Sequence, residues 1–350
     1  MRSNYKQLGQ YIRQVDVRNV GGKEENLLGV SVQKQFIPSI ANTVGTDFSK
    51  YKVVKKGQFT YIPDTSRRGD KIGIALLEDY EEGLVSNVYT VFEIIDENQL
   101  MPEYLMLWFK RPEFDRYARF KSHGSVREVM DWDEMCKVEL PVPTIEKQRS
   151  IVKAYQTITD RIALKRKINE NLEAMLSTIF SESFSLAEGT ERSRLCELMT
   201  FGNGKSRPKT GGTIPVYGGN GILSYTDQHN IENAVLIGRV GAYCGSVHLE
   251  QGVCWVSDNA IFAKSKITSV EFFDYFLLKG LNLFNHHVGT GQQLLTQEIL
   301  NKIEIPKMNI ELIDKFNEKA KSVYKTLSAN SIEISRLQEM SSLLLSRLAG

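Results

Sequence analysis

The chain has 350 residues, of which 41% are hydrophobic and 25% are charged, and its formal net charge is +2. This is the composition of an ordinary globular chain with room for two domains, and it excludes a disordered or fibrous polypeptide. A charge so close to zero does not by itself indicate a nucleic-acid partner, which would have to bind through local basic patches. No apolar run approaches the ~18 residues of a membrane span, and the N-terminus lacks a signal sequence, so we expect a cytoplasmic protein without a membrane partner.

The cysteines do not predict a disulfide framework or a zinc finger. Cys136, Cys196, Cys244 and Cys254 lie far apart, with no Cys-x-x-Cys pair among them. Cys244, His248 and Cys254 would supply three metal ligands if they folded together, but the sequence offers no obvious fourth ligand. The favoured interpretation is core cysteines beside a strand histidine, with no bound metal.

The first 135 residues predict a mixed domain of short strands and one helix. Strands are expected where β-branched and aromatic residues lie between turn signals, and Pro102 suits the first turn of an aromatic helix. Two loops of this domain carry cations: Asp-Thr-Ser-Arg-Arg-Gly-Asp-Lys at 64–71 and Lys-Ser-His-Gly-Ser-Val-Arg at 121–127. The expected strands are 27–32, 51–54, 59–63, 72–77 and 84–95.

A segment that the chain uses twice follows this domain. Residues 136–141, Cys-Lys-Val-Glu-Leu-Pro, return 165 positions later as residues 301–306, Asn-Lys-Ile-Glu-Ile-Pro. A long stretch without Gly or Pro follows each copy, and its apolar residues lie alternately three and four apart, which is typical of a helix with one apolar stripe. A helix of ~36 residues would be ~54 Å long, which indicates a spacer rather than a domain element.

The stripes of the two helices coincide in the repeat, and so do their polar interruptions. Lys165 aligns with Asn330, and Asn169 also interrupts the first stripe. Two such helices predict an antiparallel coiled coil, in which these polar residues would fix the register and the pairing at some cost in stability. The apolar positions predicted to form the coiled-coil spacer are Ile151, Ile158, Ile162, Leu172, Ile179, Leu327, Ile334, Leu337 and Leu344.

The segment between the helices repeats the plan of the first domain. Val85–Phe92 is echoed by Val256–Phe262, and Gly124–Val129 by Gly289–Leu294. The expected fold is α+β, with two similar mixed α/β domains separated by two long helices, in an internal pseudo-twofold repeat. The predicted boundaries are 1–145 for the first domain, 146–186 for the long spacer helix, 187–310 for the second domain and 311–350 for the long C-terminal helix.

No motif in the sequence predicts catalysis. Gly202–Ser206 ends like a phosphate-binding loop, but Met199 stands where that motif needs its first glycine, and Pro208 blocks the following helix. Gly238–Gly245 lacks the Gly-x-Gly-x-x-Gly spacing of a dinucleotide fold and predicts a strand, a turn and a strand. Neither a nucleophile elbow nor a His-Glu-x-x-His pair occurs. We therefore expect a binding protein without catalytic residues.

Loops in both domains combine cations with glycines and amides, the groups that contact phosphates and base edges in DNA. Single Lys and Arg residues are more often ordinary solvated surface, but here the arrangement recurs in the Gly124 and Gly289 loops of the two halves. The residues predicted to bind DNA are Arg67, Arg68, Lys71, Arg127, Lys205, Arg207, Lys209, Arg239, Gln292 and Gln293.

Several of these segments resemble the specificity subunit of type I restriction-modification systems. The resemblance covers nearly the whole chain and rests on the Leu-Pro or Ile-Pro stop before each long helix, on Pro143–Ile151, and on Pro215–Ile222 with Ile237–Ala242. In that family the variable domains are target recognition domains that each read one half of a split DNA sequence, and the helices form an antiparallel coiled coil between them. The start of the second helix, Ile310–Ile313, departs from the usual sequence of the family at this position.

The resemblance implies a DNA-reading subunit that is not itself an enzyme. It implies double-stranded DNA as a partner, two methyltransferase subunits docked on the helices, and restriction subunits. No cofactor is expected in this chain; S-adenosylmethionine is expected in the methyltransferase partner, which methylates adenine, and ATP and magnesium in the restriction partner. Two alternatives stay open: a coiled-coil scaffold that does not bind DNA, and a specificity subunit of a methylation-only system.

Overall fold

The computed structural model describes residues 5–39, 45–65, 71–122, 128–184, 191–267, 271–289 and 291–349. The chain divides into two compact units. Unit 1 comprises Met1–Leu164 and Glu333–Gly350, and unit 2 comprises Lys165–Ile332. Both divisions fall inside a long helix, so each unit contains part of each long helix.

Unit 1 is built from short strands followed by helices. Two of its helices, Pro102–Phe109 and Pro112–Lys121, begin at a proline. Proline suits the first turn because the N–H group that it lacks would have no partner within the helix there. The elements in chain order are β1 (Tyr5–Gln7), β2 (Ile12–Val15), β3 (Leu28–Val30), β4 (Phe36–Pro38), β5 (Lys52–Lys55), β6 (Phe59–Tyr61), β7 (Ile74–Leu76), β8 (Glu82–Val85), β9 (Thr90–Ile94), α1 (Pro102–Phe109), α2 (Pro112–Lys121), α3 (Trp132–Cys136), β10 (Glu139–Pro141) and the first long helix, α4 (Ile145–Ser183).

The main sheet of unit 1 is antiparallel, in the order β2-β9-β6-β7, and three strand pairs accompany it: β1 with β10, β3 with β4, and β5 with β8. The single strand predicted over 84–95 is wrong. Residues 86–89 form a turn in which Tyr89 N donates to Ser86 O at 3.1 Å. The run is interrupted because β8 pairs with β5 whereas β9 pairs with β2 and β6.

The core of unit 1 lies between this sheet and α1. Phe59 and Phe92 stack there with ring centroids 4.9 Å apart. Val152 of α4 and Leu348, just after the second long helix, belong to the same core. Gln148 of α4 is fully buried, and its Oε1 accepts a hydrogen bond from Met101 N at 2.8 Å. The expectation that the long helices act only as spacers is therefore wrong, because their ends are part of the domain core.

Unit 2 has longer strands and ends in the second long helix. Its elements are β11 (Arg192–Arg194), α5 (Leu195–Leu198), β12 (Met199–Asn203), β13 (Ile214–Gly218), β14 (Gly221–Thr226), β15 (Ile231–Gly238), β16 (Val247–Val256), β17 (Ala260–Ser265), α6 (Glu271–Gly280), α7 (Gln297–Lys302), β18 (Glu304–Pro306) and α8 (Ile310–Arg347). The two long helices, α4 with 39 residues and α8 with 38, confirm the sequence prediction.

The sheet of unit 2 has the order β12-β17-β15-β16-β13-β14, and β11 pairs separately with β18. Its first four positions repeat the order of the unit 1 sheet, with β12 in the place of β2, β17 of β9, β15 of β6 and β16 of β7. The pair β11–β18 likewise repeats β1–β10, since in both units the first strand pairs with the one before a long helix. The internal repeat predicted from the sequence is thus confirmed, and β13 with β14 is an addition to unit 2.

An aromatic cluster fills the core of unit 2. The ring of Phe180 in α4 packs on Phe316 in α8 at 5.4 Å and on Phe273 in α6 at 5.7 Å between centroids. Phe184 packs on Phe273 at 5.0 Å. Burying such a ring contributes ~1.5–3 kcal/mol, so the helix ends stabilise this unit as well.

The long helices pair antiparallel within each unit. In unit 1, Arg161 forms an ion pair with Glu333 at 2.5 Å, and Val152 shares the core with Leu348. In unit 2, Lys165 bonds to Asn330 at 2.8 Å. Residues with higher numbers in α4 contact residues with lower numbers in α8, which confirms the antiparallel direction. Among the described residues, no helix is both long enough and apolar enough to cross a membrane.

Candidate nucleic-acid interface

A tight turn follows β15 in unit 2, and we call residues 239–246 the turn loop. Its backbone folds back on the strand so closely that a Cβ atom at Gly238 would lie 2.1 Å from the carbonyl oxygen of Tyr243. Gly241 has a φ of +71°, a left-handed conformation that favours glycine. The glycines of this segment therefore stand at bends, as the sequence predicted.

A second segment, the described residues 288–289 and 291–295, precedes α7, and we call it the hairpin loop. Val288 N donates to Leu294 O at 2.9 Å, and Leu294 N donates to Val288 O at 3.0 Å. This exchanged pair of bonds holds Val288 and Leu294 side by side. Gln292 is exposed on it, and Gln293 is half-buried.

The turn loop and the hairpin loop lie side by side. Gly241 N donates to Gln293 O at 3.0 Å, and Leu295 N donates to Arg239 O at 2.9 Å. Three residues predicted from distant parts of the sequence to bind DNA, Arg239, Gln292 and Gln293, are thus brought together on backbone hydrogen bonds.

Lys205 reaches the same region through the turn between β16 and β17. Lys205 N donates to Val256 O at 3.0 Å, and Arg239 N donates to Asn259 O at 3.0 Å. The backbones of both cations therefore flank the 257–259 turn. The side chain of Lys205 is exposed, and Arg207 and Lys209 follow it in the same exposed stretch.

The guanidinium group of Arg239 is half-buried and incompletely bonded. Its Nη1 lies 3.5 Å from the carbonyl oxygen of Asp258, a long hydrogen bond. Its Nε is buried and has no hydrogen-bond partner in the part of the chain that the structure describes. The outer donors of this guanidinium group can bind a phosphate or a base edge.

Unit 1 joins the equivalent two loops in the same way. Thr65 N donates to Glu128 O at 3.0 Å, and Met130 N donates to Pro63 O at 3.0 Å. Glu128 also forms an ion pair with Arg119. The predicted DNA contacts Arg67, Arg68 and Arg127 lie outside the described residues.

Lys71, the remaining predicted contact of unit 1, is exposed. The next residue, Ile72, is held in place by hydrogen bonds to two side chains. Ile72 N donates to Oδ1 of Asp115 at 3.2 Å, and Ile72 O accepts from Nζ of Lys34 at 3.1 Å. Lys34 and Asp115 are themselves joined at 2.6 Å. Burial lowers the pKa of Lys34, and the ion pair with Asp115 opposes that shift.

The cysteines and His248 do not come together as a metal site. Cys244 belongs to the aromatic core beneath α6, whereas Cys254 packs with Tyr217 in a separate cluster. Within the described ranges, no group of three or more His, Cys, Asp or Glu residues is placed to hold a metal ion.

The predicted coiled-coil positions all lie on the covered side of the long helices. Ile162 and Leu327 are buried, and the other seven positions are half-buried. The polar interruptions are bonded to one another, since Nζ of Lys165 donates to Oδ1 of Asn330 at 2.8 Å and Nδ2 of Asn330 donates to Oδ1 of Asn169 at 2.7 Å.

Three features of the interface escaped the sequence reasoning. Asn259 holds Arg239 through its backbone, Lys34 holds Ile72, and the exposed ring of Tyr243 stands in the turn loop. The echo of Val85–Phe92 in the 256–262 segment was visible and would have pointed to Asn259. Nothing in the local sequence around Lys34 signals its contact with a residue 38 positions away.

Comparison with known proteins identifies the family. A family model described as the type I restriction modification DNA specificity domain matches residues 7–174 and 188–311. The HindI type I specificity subunit of Haemophilus influenzae is 26% identical over 135 residues, which are 38% of this chain and 29% of that protein. The MjaIX specificity subunit of Methanocaldococcus jannaschii is 31% identical over 91 residues, 26% of this chain and 21% of that protein. The matches therefore span less than a third of either relative.

Solved structures show the same fold over the full length. The S subunit of a type I restriction-modification system from M. genitalium aligns with a TM-score of 0.66 and 15% identity, covering 99% of this chain and 96% of that one. A structure described in terms of complex assembly and conformational transition of the type I system aligns with a TM-score of 0.51 and 18% identity, covering 98% and 96%. Because the family model covers most of the sequence, the chain belongs to the type I restriction-modification DNA specificity family.

Proposed function

We propose that this chain reads a bipartite double-stranded DNA target, with one half-site read by each unit, and that it scaffolds methyltransferase subunits for adenine methylation and restriction. Membership of the specificity family supports the DNA-reading role. The chain itself would supply recognition and no catalytic group. We place this activity in the cytoplasm.

One observation carries the proposal. In each unit, two backbone hydrogen bonds join the loop after the third sheet strand to the loop before a short helix. The side chains on this shared framework differ, because unit 2 has Arg239 and Gln293 where unit 1 has Pro63 and Glu128. A common framework that carries different side chains is what two readers of unlike half-sites require.

The chemistry of the unit 2 loops suits direct readout. A glutamine amide can bond in a bidentate manner to adenine, and an arginine can bond to guanine or to a phosphate. Lys205, Arg207 and Lys209 would contact phosphates, which position a protein without carrying sequence information. A net charge of only +2 is sufficient if partner subunits neutralise part of the DNA backbone.

The long helices would dock two methyltransferase subunits, which hold S-adenosylmethionine, and the complex would include restriction subunits, which use ATP and magnesium. Exposed apolar side chains on the helices support such docking. Leu164 of α4 and Met340 and Leu343 of α8 are all more than half exposed. Bound methyltransferase subunits would pack on these side chains.

The experiment that tests this function exchanges residues 190–300 for those of a relative with a different target. Methylome sequencing should show a change in only one half-site, because only unit 2 has been replaced. The matched control exchanges the corresponding segment of unit 1 and should change the other half-site. A change in both half-sites from either exchange would contradict the two-reader model.

Point variants separate phosphate contacts from base contacts. Lys209→Ala should weaken binding about equally for all DNA sequences and reduce the slope of affinity against salt by about one. Gln293→Ala should relax specificity at one position of one half-site. A scaffold that does not touch DNA would show no salt-sensitive DNA binding even with its partner subunits present.

A further inference from the structure

Three exposed apolar side chains are carried by the proposed reading loops of unit 2 and by the short turn that packs against them. Tyr243 is 53% exposed, Phe284 is 41% exposed and Val288 is 50% exposed. None of the three was among the residues predicted to bind DNA. Large apolar side chains gathered on a surface are unusual unless a partner covers them.

Backbone packing holds the segments that carry Tyr243 and Phe284 next to each other. Gly245 has a φ of +83°, and a Cβ atom there would lie 2.5 Å from Phe284 N. The turn loop with Tyr243 therefore packs backbone against backbone on the short 3-10 turn, residues 283–286, that carries Phe284. The ring of Phe284 in turn packs on the ring of His287 at 4.8 Å.

The hairpin loop completes the patch. Val288 exchanges both backbone hydrogen bonds with Leu294, and the next residue, Leu295, donates to Arg239 O at 2.9 Å. The backbone that carries Val288 is thus joined, through Leu294 and Leu295, to the backbone of Arg239. A molecule that binds across these joined segments would also contact the apolar side chains.

The surroundings favour DNA as that molecule. Lys205 and Arg239 are the cations of the same loop cluster, and the backbone carbonyl of Asp258 already faces the Arg239 guanidinium. Apolar side chains beside such donors pack on thymine methyl groups in the major groove, or enter between base steps from the minor groove.

We infer that Tyr243, Phe284 and Val288 form an apolar contact with the DNA half-site that unit 2 reads. The contact adds selectivity for thymine methyl groups or for a deformable base step to the polar readout by the glutamines. This inference rests on the proposed function and names further specificity-determining residues of the same interface.

The test uses the full chain assembled with its methyltransferase subunits. Tyr243→Ala and Phe284→Ala should each weaken binding to the cognate duplex on the order of tenfold and make one or two positions of the unit 2 half-site degenerate. The half-site of unit 1 should not change. Tyr225→Ala is the matched control, because Tyr225 is 51% exposed on the edge strand β14, outside the loop cluster, and should leave both half-sites intact.

Val288→Thr keeps the shape of the side chain while adding a hydroxyl group, so it tests the apolar contact even if an alanine variant folds poorly. Unchanged affinity and unchanged half-sites in all three variants would overturn the inference. Loss of subunit assembly with an unchanged target would also overturn it, since the patch would then be a protein interface. If the unmodified complex showed no sequence preference at all, the proposed function itself would fail.

Discussion

Lys165 and Asn330 are equivalent positions of the internal repeat, 165 residues apart, and their side chains are bonded to each other, with Nζ of Lys165 donating to Oδ1 of Asn330 at 2.8 Å. When two copies of a helix pair antiparallel, a given residue meets its own equivalent in the other copy at only one register. Asn330 is 4% exposed and also donates to Asn169. This polar layer therefore occupies a position where any shift of register would leave a buried amide without partners.

Replacing Lys165, Asn169 and Asn330 together by leucine should raise the unfolding temperature and loosen the register. Buried polar residues of a coiled coil specify pairing at a cost in stability, and apolar replacements are commonly neutral or stabilising by ~1–4 kcal/mol. The melting temperature and the spread of spacer lengths among methylated sites measure the two effects. An unchanged melting temperature together with an unchanged DNA target would contradict this role.

The length of the helices should set the gap between the two half-sites. Adding four residues to α4 near Asn169, and four at the equivalent position of α8 near Ile334, lengthens each helix by ~6 Å. The expected result is a change of about one or two base pairs in the non-specific spacer, since a base-pair step is ~3.4 Å, with both half-site sequences retained. Methylome sequencing of the variant measures both. Altered half-site sequences with an unchanged gap would show that the helix length does not set the spacing between the half-sites.

Breaking the buried ion pair of Lys34 and Asp115 by one substitution should cost more stability than the second substitution adds. The two side chains are 5% and 13% exposed and lie 2.6 Å apart. Lys34→Met alone leaves Asp115 uncompensated and should lower the free energy of unfolding by about 3–5 kcal/mol. Adding Asp115→Leu removes that charge, so the double variant should be less destabilised than the sum of the two single variants. The remaining cost comes from the backbone groups of Ile72, which lose both side-chain partners. Denaturant unfolding of the two single variants and the double variant measures the coupling. If the loss of unfolding free energy in the double variant equalled the sum of the losses in the two single variants, the two side chains would have no coupling energy.

Asp274 should make unit 2 less stable as pH rises. The side chain is 2% exposed in α6, and burial raises its pKa to about 7. The folded state therefore holds the proton more tightly than the unfolded chain, whose aspartates have a pKa near ~4, so the free energy of unfolding should fall between about pH 4 and pH 7 and stay low above that range.

Asp274→Asn removes this titration while keeping the shape of the protonated acid. It should raise the free energy of unfolding by about 2–4 kcal/mol at pH 8 and by much less at pH 5. Denaturant unfolding at the two pH values measures the difference. Asp227→Asn, at an exposed position, controls for the loss of one charge. An equal effect of Asp274→Asn at both pH values would contradict the account.

The long helices could be predicted from the sequence because their signal is local. The three-and-four spacing of apolar residues and the absence of Gly and Pro define both, and the starts expected at 146 and 311 lie within one residue of Ile145 and Ile310. The same pattern did not reveal that Phe180, Phe184 and Phe316 join the core of unit 2. An apolar stripe shows which face of a helix is buried but not which residues pack against that face.

The interface could be predicted only in part, because it depends on non-local pairing. The Gly124 and Gly289 loops were recognised from their composition. The bonds that place the hairpin loop against Arg239 join residues more than 50 positions apart, and so have no local signature. The split of the predicted 84–95 strand has the same origin, since β8 and β9 pair with different partners.

Selection of a two-part DNA target is the property on which the proposed function depends. It is tested most directly by methylation-sensitive sequencing of DNA from cells that carry this chain with its partner subunits, compared with cells that carry the partners alone. Methylated adenines should lie in one bipartite motif, with two fixed half-sites and a spacer of constant length, only when this chain is present. A methylated motif that is continuous, or that persists without this chain, would contradict the proposed function.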